Sequence, residues 1–188
     1  PEVLDSLERS TMTIEQLVDD VKQFARDSGV RGDRVYELSD PRELPEDVLS
    51  AYRRERESVP VVVECELTDS VKTPVSREKL KLVLDHLIDN ALKATAETNQ
   101  PRVEVALRRT NGSLIVSVTD NGPGIPEEEK DRVTDLFYST RDESVGTGLG
   151  LCIVETVVEQ AGGNLNIRGQ EGDGTTMEVV LPLVSVAG

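Results

Sequence analysis

The sequence predicts an α+β fold: a mixed, largely antiparallel sheet covered by helices on one face and preceded by one long N-terminal helix. Three observations carry this expectation. "RVEVALRRTNGSLIVSVTD" holds two stretches of alternating apolar and polar residues joined by Asn111-Gly112, a pair that favours a type I′ hairpin. "NLNIRGQEGDGTTMEVVLPL" supplies two more strands around a Gly/Asp turn. Two segments of helical period interrupt the strands, residues 76–97 and 148–161, the second with Leu151, Val154, Val158 and Ala161 on one face.

In chain order, three regions are expected. In residues 1–28 the positions Leu4, Leu7, Thr11, Ile14, Val18, Val21 and Ala25 alternate spacings of three and four, a heptad seam widened by Leu17 and Phe24. Such a face packs on another helix or another chain, so residues 4–25 are a candidate self-association surface. Ser28-Gly29 stops the helix. Residues 29–60 read as a linker with a short strand, a Pro-marked turn and a charged helix over 45–57, either the first helix of the main domain or a solvated decoration. Residues 61–186 form the core domain, which "VVVECEL" opens as a half-buried strand with Val61, Val63, Cys65 and Leu67 on one face.

Composition narrows the function. A net charge of −15 excludes nonspecific nucleic-acid binding, because nothing replaces the counterions of a phosphate backbone. A small anion can still bind where local dipoles oppose the global field. No apolar run is long enough to span a bilayer and no signal peptide opens the chain, so an aqueous, cytoplasmic setting without membrane contact is expected, whatever the parent protein does. Cys65 and Cys152 sit in apolar patterns that suit reduced core thiols.

The chemistry concentrates in three places. In "SREKLKLVLDHLIDNALKATAE", Leu80, Leu84, Leu87, Ile88, Ala91 and Thr95 share one side of a helix with Ser76 as N-cap. His86, Asn90, Lys93 and Glu97 line the other side, as either a solvated face or a polar site. In "VGTGLGLCIVETVVEQAGG", Gly146, Gly148 and Gly150 precede an apolar helix, where main-chain N–H groups and the helix dipole suit a phosphate. The segment lacks the Lys-Ser/Thr of a P-loop and follows no strand as a dinucleotide fingerprint would. In "SVTDNGPGIP", Asp120 ends a strand, and Gly122 and Gly124 hold the next loop where a side chain would fill the space. Its carboxylate either closes an Asx turn or accepts from an amino group such as an adenine amine lying against Ile125.

Together and in order, "DHLIDNALKAT", "DNGPGI", "DLFYST" and "GTGLGL" resemble the N, G1, F and G2 boxes of sensor histidine kinases, over roughly residues 61–183. The order is far more specific than any one box. The resemblance implies a Bergerat-type α/β sandwich, the ATPase fold shared with gyrase, MutL and heat-shock chaperone ATPases, with ATP and Mg2+ as cofactors. It implies that Asn90 coordinates magnesium, Lys93 contacts phosphate, Asp120 reads the adenine amine, and Gly122, Gly124 and Ile125 shape the pocket. It further implies an ATP lid carrying Phe137, Thr140, Arg141, Gly146, Thr147, Gly148, Leu149 and Gly150, with Phe137 anchoring lid movement and Arg141 near the phosphates. Thr175 or Thr176 matches the position that supports the adenine-reading aspartate. His86, Asn90, Lys93 and Arg141 are thereby the candidate catalytic residues.

Departures from the family pattern qualify this reading. His86 stands where the family often has Asn or Glu, resembling chemotaxis kinases, and acts either as a base or as an accessory polar group. Ala94 replaces a common aromatic, and Thr134 and Leu136 replace the first Phe and the Pro of the F box. The only histidine lies inside the ATPase box, so no phosphoacceptor is present. Residues 2–28 resemble the second helix of a dimerisation hairpin, which makes the expected partners that hairpin, in the same or a second kinase chain, and a downstream response regulator. The alternatives are a nucleotide-binding pseudokinase acting through partner contacts and an anti-sigma-type serine kinase, which usually lacks the N-terminal helix.

Overall fold

The computed structural model describes residues 36–38, 44, 48, 59–67, 70–138 and 148–184. The expected N-terminal helix over 1–28 and most of the expected 45–57 helix lie outside them. Leu44 and Val48, both helical, are fully buried in the same core as the rest of the domain. A solvated decoration would not bury them.

The sheet forms as the alternation requires. β2 (Val61–Cys65), β4 (Val103–Thr110), β5 (Ser113–Asp120), β7 (Thr175–Pro182) and β6 (Asn164–Gly169) lie side by side in the order β2-β4-β5-β7-β6. The β2–β4 pair is parallel, Val61 opposite Val103, and every other pair is antiparallel. A parallel pair needs a crossover, and helix α1 (Arg77–Ala94) provides it. The short strands β1 (Tyr36–Leu38) and β3 (Val71–Thr73) pair separately. β3 and the short helix α2 (Glu127–Lys130) have no counterpart in the sequence pattern.

One face of the sheet carries the core. Val103, Val105 and Leu107 of β4, Leu114, Val116 and Val118 of β5, and Met177, Val179 and Leu181 of β7 are buried there. α1 lays Leu80, Val83, Leu84, Leu87, Ile88, Ala91 and Leu92 on that face, and α3 (Gly150–Gln160) adds Ile153, Val154, Val157 and Val158. Burying each of these Val, Leu, Ile and Met side chains contributes roughly 1.5–3 kcal/mol. The other face is polar, with Arg108 between Glu64 and Glu66 and Arg168 paired to Glu178.

Two helix boundaries and one turn differ from expectation, each for a local reason. Ser76 caps α1 by accepting from the Lys79 backbone N–H at 3.3 Å, as the sequence indicates. α1 ends at Ala94 rather than 97 because the buried Thr95 hydroxyl bonds the carbonyls of Ala91 and Leu92. α3 starts at Gly150 rather than 148 because Gly148 takes φ +68°, which no helix accommodates. Its fully buried stripe includes Ile153 and Val157, with Leu151 and Ala161 only partly buried. The Asn111-Gly112 hairpin is not type I′, since only Gly112 has positive φ whereas that turn needs it at both central residues. Cys65 and Cys152 are free and partly buried, and burial pushes the Cys152 thiol above its ordinary pKa.

Candidate functional site

The polar side of α1 is not a plain solvent face. His86, Asn90 and Lys93 are half-buried, whereas Glu97 lies beyond the helix and is exposed. Two backbone approaches explain the cover. A Cβ on Gly122 would lie 2.9 Å from the Ala94 carbonyl oxygen and 3.0 Å from Ala94 Cβ, so the loop after β5 rests on the last turn of α1. A Cβ on Gly150 would lie 3.2 Å from His86 Nδ1, so the start of α3 rests on α1 eight residues earlier. Eight residues span roughly 12 Å of helix, and Asn90 and Lys93 lie within that span.

Asp120 closes one end. It is the last residue of β5, 7% exposed, and continues the buried column of Leu114, Val116 and Val118. Oδ1 accepts from the Gly122 backbone N–H at 2.8 Å, so the Asx turn considered from the sequence is present. That turn does not exhaust the group, since a carboxylate offers about four lone-pair sites. It fixes Oδ1 of the carboxylate. A Cβ on Gly122 would sit 2.8 Å from the same oxygen, so this glycine is needed for close approach.

The two threonines separate by face. Thr175 lies opposite Asp120 in the β5–β7 ladder and is buried on the same side. Thr176 points to the other side, where its hydroxyl bonds that of Thr119 at 3.0 Å. Gly124 has φ +76°, and a Cβ there would meet the Gln170 carbonyl oxygen at 1.9 Å, so its loop packs on the β6–β7 turn with Ile125 against the core.

Between α2 and α3, Phe137 and Gly148 are joined through their backbones. The Phe137 N–H donates to the Gly148 carbonyl at 3.1 Å, and Phe137 itself takes φ +63°. Its side chain is exposed, so the backbone is what the structure anchors at this position. The Leu149 side chain is buried in the core. Thr140, Arg141, Gly146 and Thr147 lie outside the described residues.

Three residues matter here that the sequence reading passed over. Asp89 Oδ2 pairs with Lys93 Nζ at 2.6 Å, a spacing of four on the helix that "DNALK" displays openly. The Asn121 side chain accepts from the Arg102 N–H at 2.7 Å and donates to the Gln100 carbonyl at 2.9 Å, pinning the α1–β4 connection beside Asp120. Nothing in the sequence pairs those distant positions. A Cβ on Gly174 would lie 2.1 Å from the Asp120 carbonyl oxygen, so the glycine of "GDGTT" lets β7 start against Asp120. Among the described residues, no cluster of three or more His, Cys, Asp or Glu side chains could hold a metal ion, and no helix is long and apolar enough to cross a membrane.

The family described as "Histidine kinase-, DNA gyrase B-, and HSP90-like ATPase" matches residues 75–185. The chain is 36% identical over 112 residues to sensor histidine kinase WalK of Bacillus subtilis (strain 168), covering 57% of this chain and 18% of that protein. It is 34% identical over 108 residues to the methanogenesis regulatory histidine kinase FilI of Methanothrix harundinacea (strain 6Ac), covering 57% of this chain and 12% of that protein. The chain thus spans less than a fifth of either relative. The solved structure of a mycobacterial sensor histidine kinase, MprB, superposes with a TM-score of 0.69 at 28% identity, covering 81% of this chain and 100% of that one.

Proposed function

The chain belongs to the histidine kinase-, DNA gyrase B-, and HSP90-like ATPase family, and we propose that it is the ATP-binding catalytic domain of a two-component sensor histidine kinase. It transfers the γ-phosphoryl group of ATP to a histidine on a dimerisation hairpin. A response regulator is the downstream partner, and a site that uses ATP in this way works in the cytoplasm.

The observation that carries this reading is the bracketing of the α1 polar face, with Gly122 against Ala94 at one end and Gly150 against His86 at the other. The residues fit a nucleotide. Asp120, buried and fixed through its Oδ1, is suited to accept from the adenine amine, and a charged acceptor at a largely apolar site rejects bases that lack the donor. Thr175 supports it from the neighbouring strand and Ile125 gives the base an apolar wall. Toward the phosphates, Lys93 supplies an ammonium and Gly148 and Leu149 supply main chain, with Thr140, Arg141, Gly146 and Thr147, outside the described residues, assigned to phosphate binding on the family resemblance alone. Asn90 would hold magnesium together with nucleotide oxygens and water, a sufficient set for a hard cation that keeps several waters. Bound there, magnesium would offset phosphate charge. The chain's own part is positioning and charge, which is what phosphoryl transfer asks of a protein.

The test joins an acceptor hairpin bearing its histidine ahead of the chain and follows transfer from γ-labelled ATP. Acid-labile, base-stable label on the hairpin is the expected result. Acid-stable label would mark a serine kinase, and ATP binding without any label would mark a nucleotide-binding regulatory module.

A further inference from the structure

Gly148 and Gly150 belong to one Gly-rich segment, yet they are glycines for different reasons. Gly148 takes φ +68° and lies against Phe137, which requires a glycine on backbone grounds. Gly150 has no positive φ and is the first residue of α3, where an alanine would be conformationally favoured. Its missing side chain is explained by one neighbour. All three atoms nearest to a Cβ at this position belong to His86: Nδ1 at 3.2 Å, Cγ at 3.6 Å and Cβ at 3.8 Å.

α3 also has a need that this neighbour can meet. The first N–H groups of a helix have no intrahelical acceptor. Leu149 at the N-cap offers no side-chain acceptor, and the first turn holds no acidic residue. We propose that His86 is a positioning residue whose Nδ1 accepts from the first-turn backbone of α3, and that Gly150 is a glycine so that the imidazole can reach it. An imidazole can accept at Nδ1 only when neutral with its proton on Nε2, a buried atom with no acceptor among the described residues, so the Nδ1 bond must outweigh that cost. His86 is then a strut between two helices rather than a base facing substrate. Asn90 lies one turn further along α1, so the strut sets the distance between that turn and the main chain of Gly148–Gly150. This last consequence rests on the proposed nucleotide site, whereas the strut does not.

His86 is the sole histidine in the chain, so nitrogen-15 NMR of the intact, unaltered protein reads its ring without interference. The expected spectrum shows a single neutral tautomer with the proton on Nε2. A proton on Nδ1, or the tautomer averaging of a free imidazole, overturns the proposal, and neither reading depends on a variant that folds or on nucleotide. The second arm is Gly150→Ala, whose methyl intrudes on the ring and weakens ATP binding roughly fivefold, as modest overpacking does. Introduced into His86→Ala, the same change weakens binding less than twofold. Equal penalties in the two backgrounds overturn the proposal. If the unaltered chain binds no ATP at all, the nucleotide reading fails while the NMR arm still decides the strut.

Discussion

Asp120 and Thr175 face each other across the β5–β7 ladder at the point where two buried apolar columns turn polar. One residue further along, Thr119 and Thr176 face each other on the opposite side of the same sheet. A period of two thus divides "GTT" between two faces, and only one of its threonines shares a face with the carboxylate. Thr175→Val removes the hydroxyl that lies opposite that carboxylate in the ladder and is expected to weaken ATP binding by about tenfold, about what a hydrogen bond to a charged group is worth. Thr176→Val loses one half-exposed hydroxyl pair, costs under about 1 kcal/mol of stability and leaves the affinity unchanged. Titrating both variants against ATP checks the assignment, and equal losses would refute it.

Lys93, the ammonium proposed to meet the phosphates, is paired with Asp89. Both side chains are about a quarter exposed, at 29% and 27%, so the pair itself contributes little to stability. Its effect should appear in binding. Asp89→Asn frees the ammonium and removes a negative charge, and is expected to tighten magnesium-free ATP binding by roughly three- to tenfold, about what one partly screened charge supplies. Lys93→Ala should weaken it by a similar factor. Calorimetry in the presence of a chelator reads both. Weaker magnesium-free binding by Asp89→Asn would contradict the assignment.

At the start of α1, Ser76 and Glu78 act together. Ser76→Ala is expected to cost about 1 kcal/mol in urea unfolding. Glu78 is exposed, and its carboxyl is held below the ordinary value of 4.5 chiefly by its own backbone N–H and then by the Ser76 hydroxyl. A lowered carboxyl pKa contributes stability that is complete above the unfolded value and disappears as pH falls through the folded one. The gap between Ser76→Ala and the parent should therefore be widest near neutrality and shrink in acid below the ordinary Glu range. A gap that grows on acidification would be inconsistent with this cap.

The strands, the Ser76 cap and the helix faces were legible because each is a local pattern: alternation, a capping hydroxyl, a spacing of three and four. The order of the four boxes carried the family. What remained hidden depends on contacts between distant positions. No pattern links Asn121 to Gln100 and Arg102, or Gly150 to His86, because glycine looks alike whether it serves a positive φ or a close approach. The hairpin shows the limit of local signals, since Asn111-Gly112 supplied the residues of one turn type and the backbone adopted another. Face assignment in "GTT" likewise needed the β7 register, which a one-residue slip would invert.

The central claim is that the Asp120 carboxylate reads an adenine. Calorimetric titration of the full chain with ATP, beside Asp120→Asn, tests it most directly. The account predicts saturable binding by the unaltered chain and a loss of at least about tenfold in Asp120→Asn, since hydrogen bonds to a charged acceptor are worth about 1.5–3 kcal/mol. Undiminished affinity in that variant, or no binding by the unaltered chain, would contradict it.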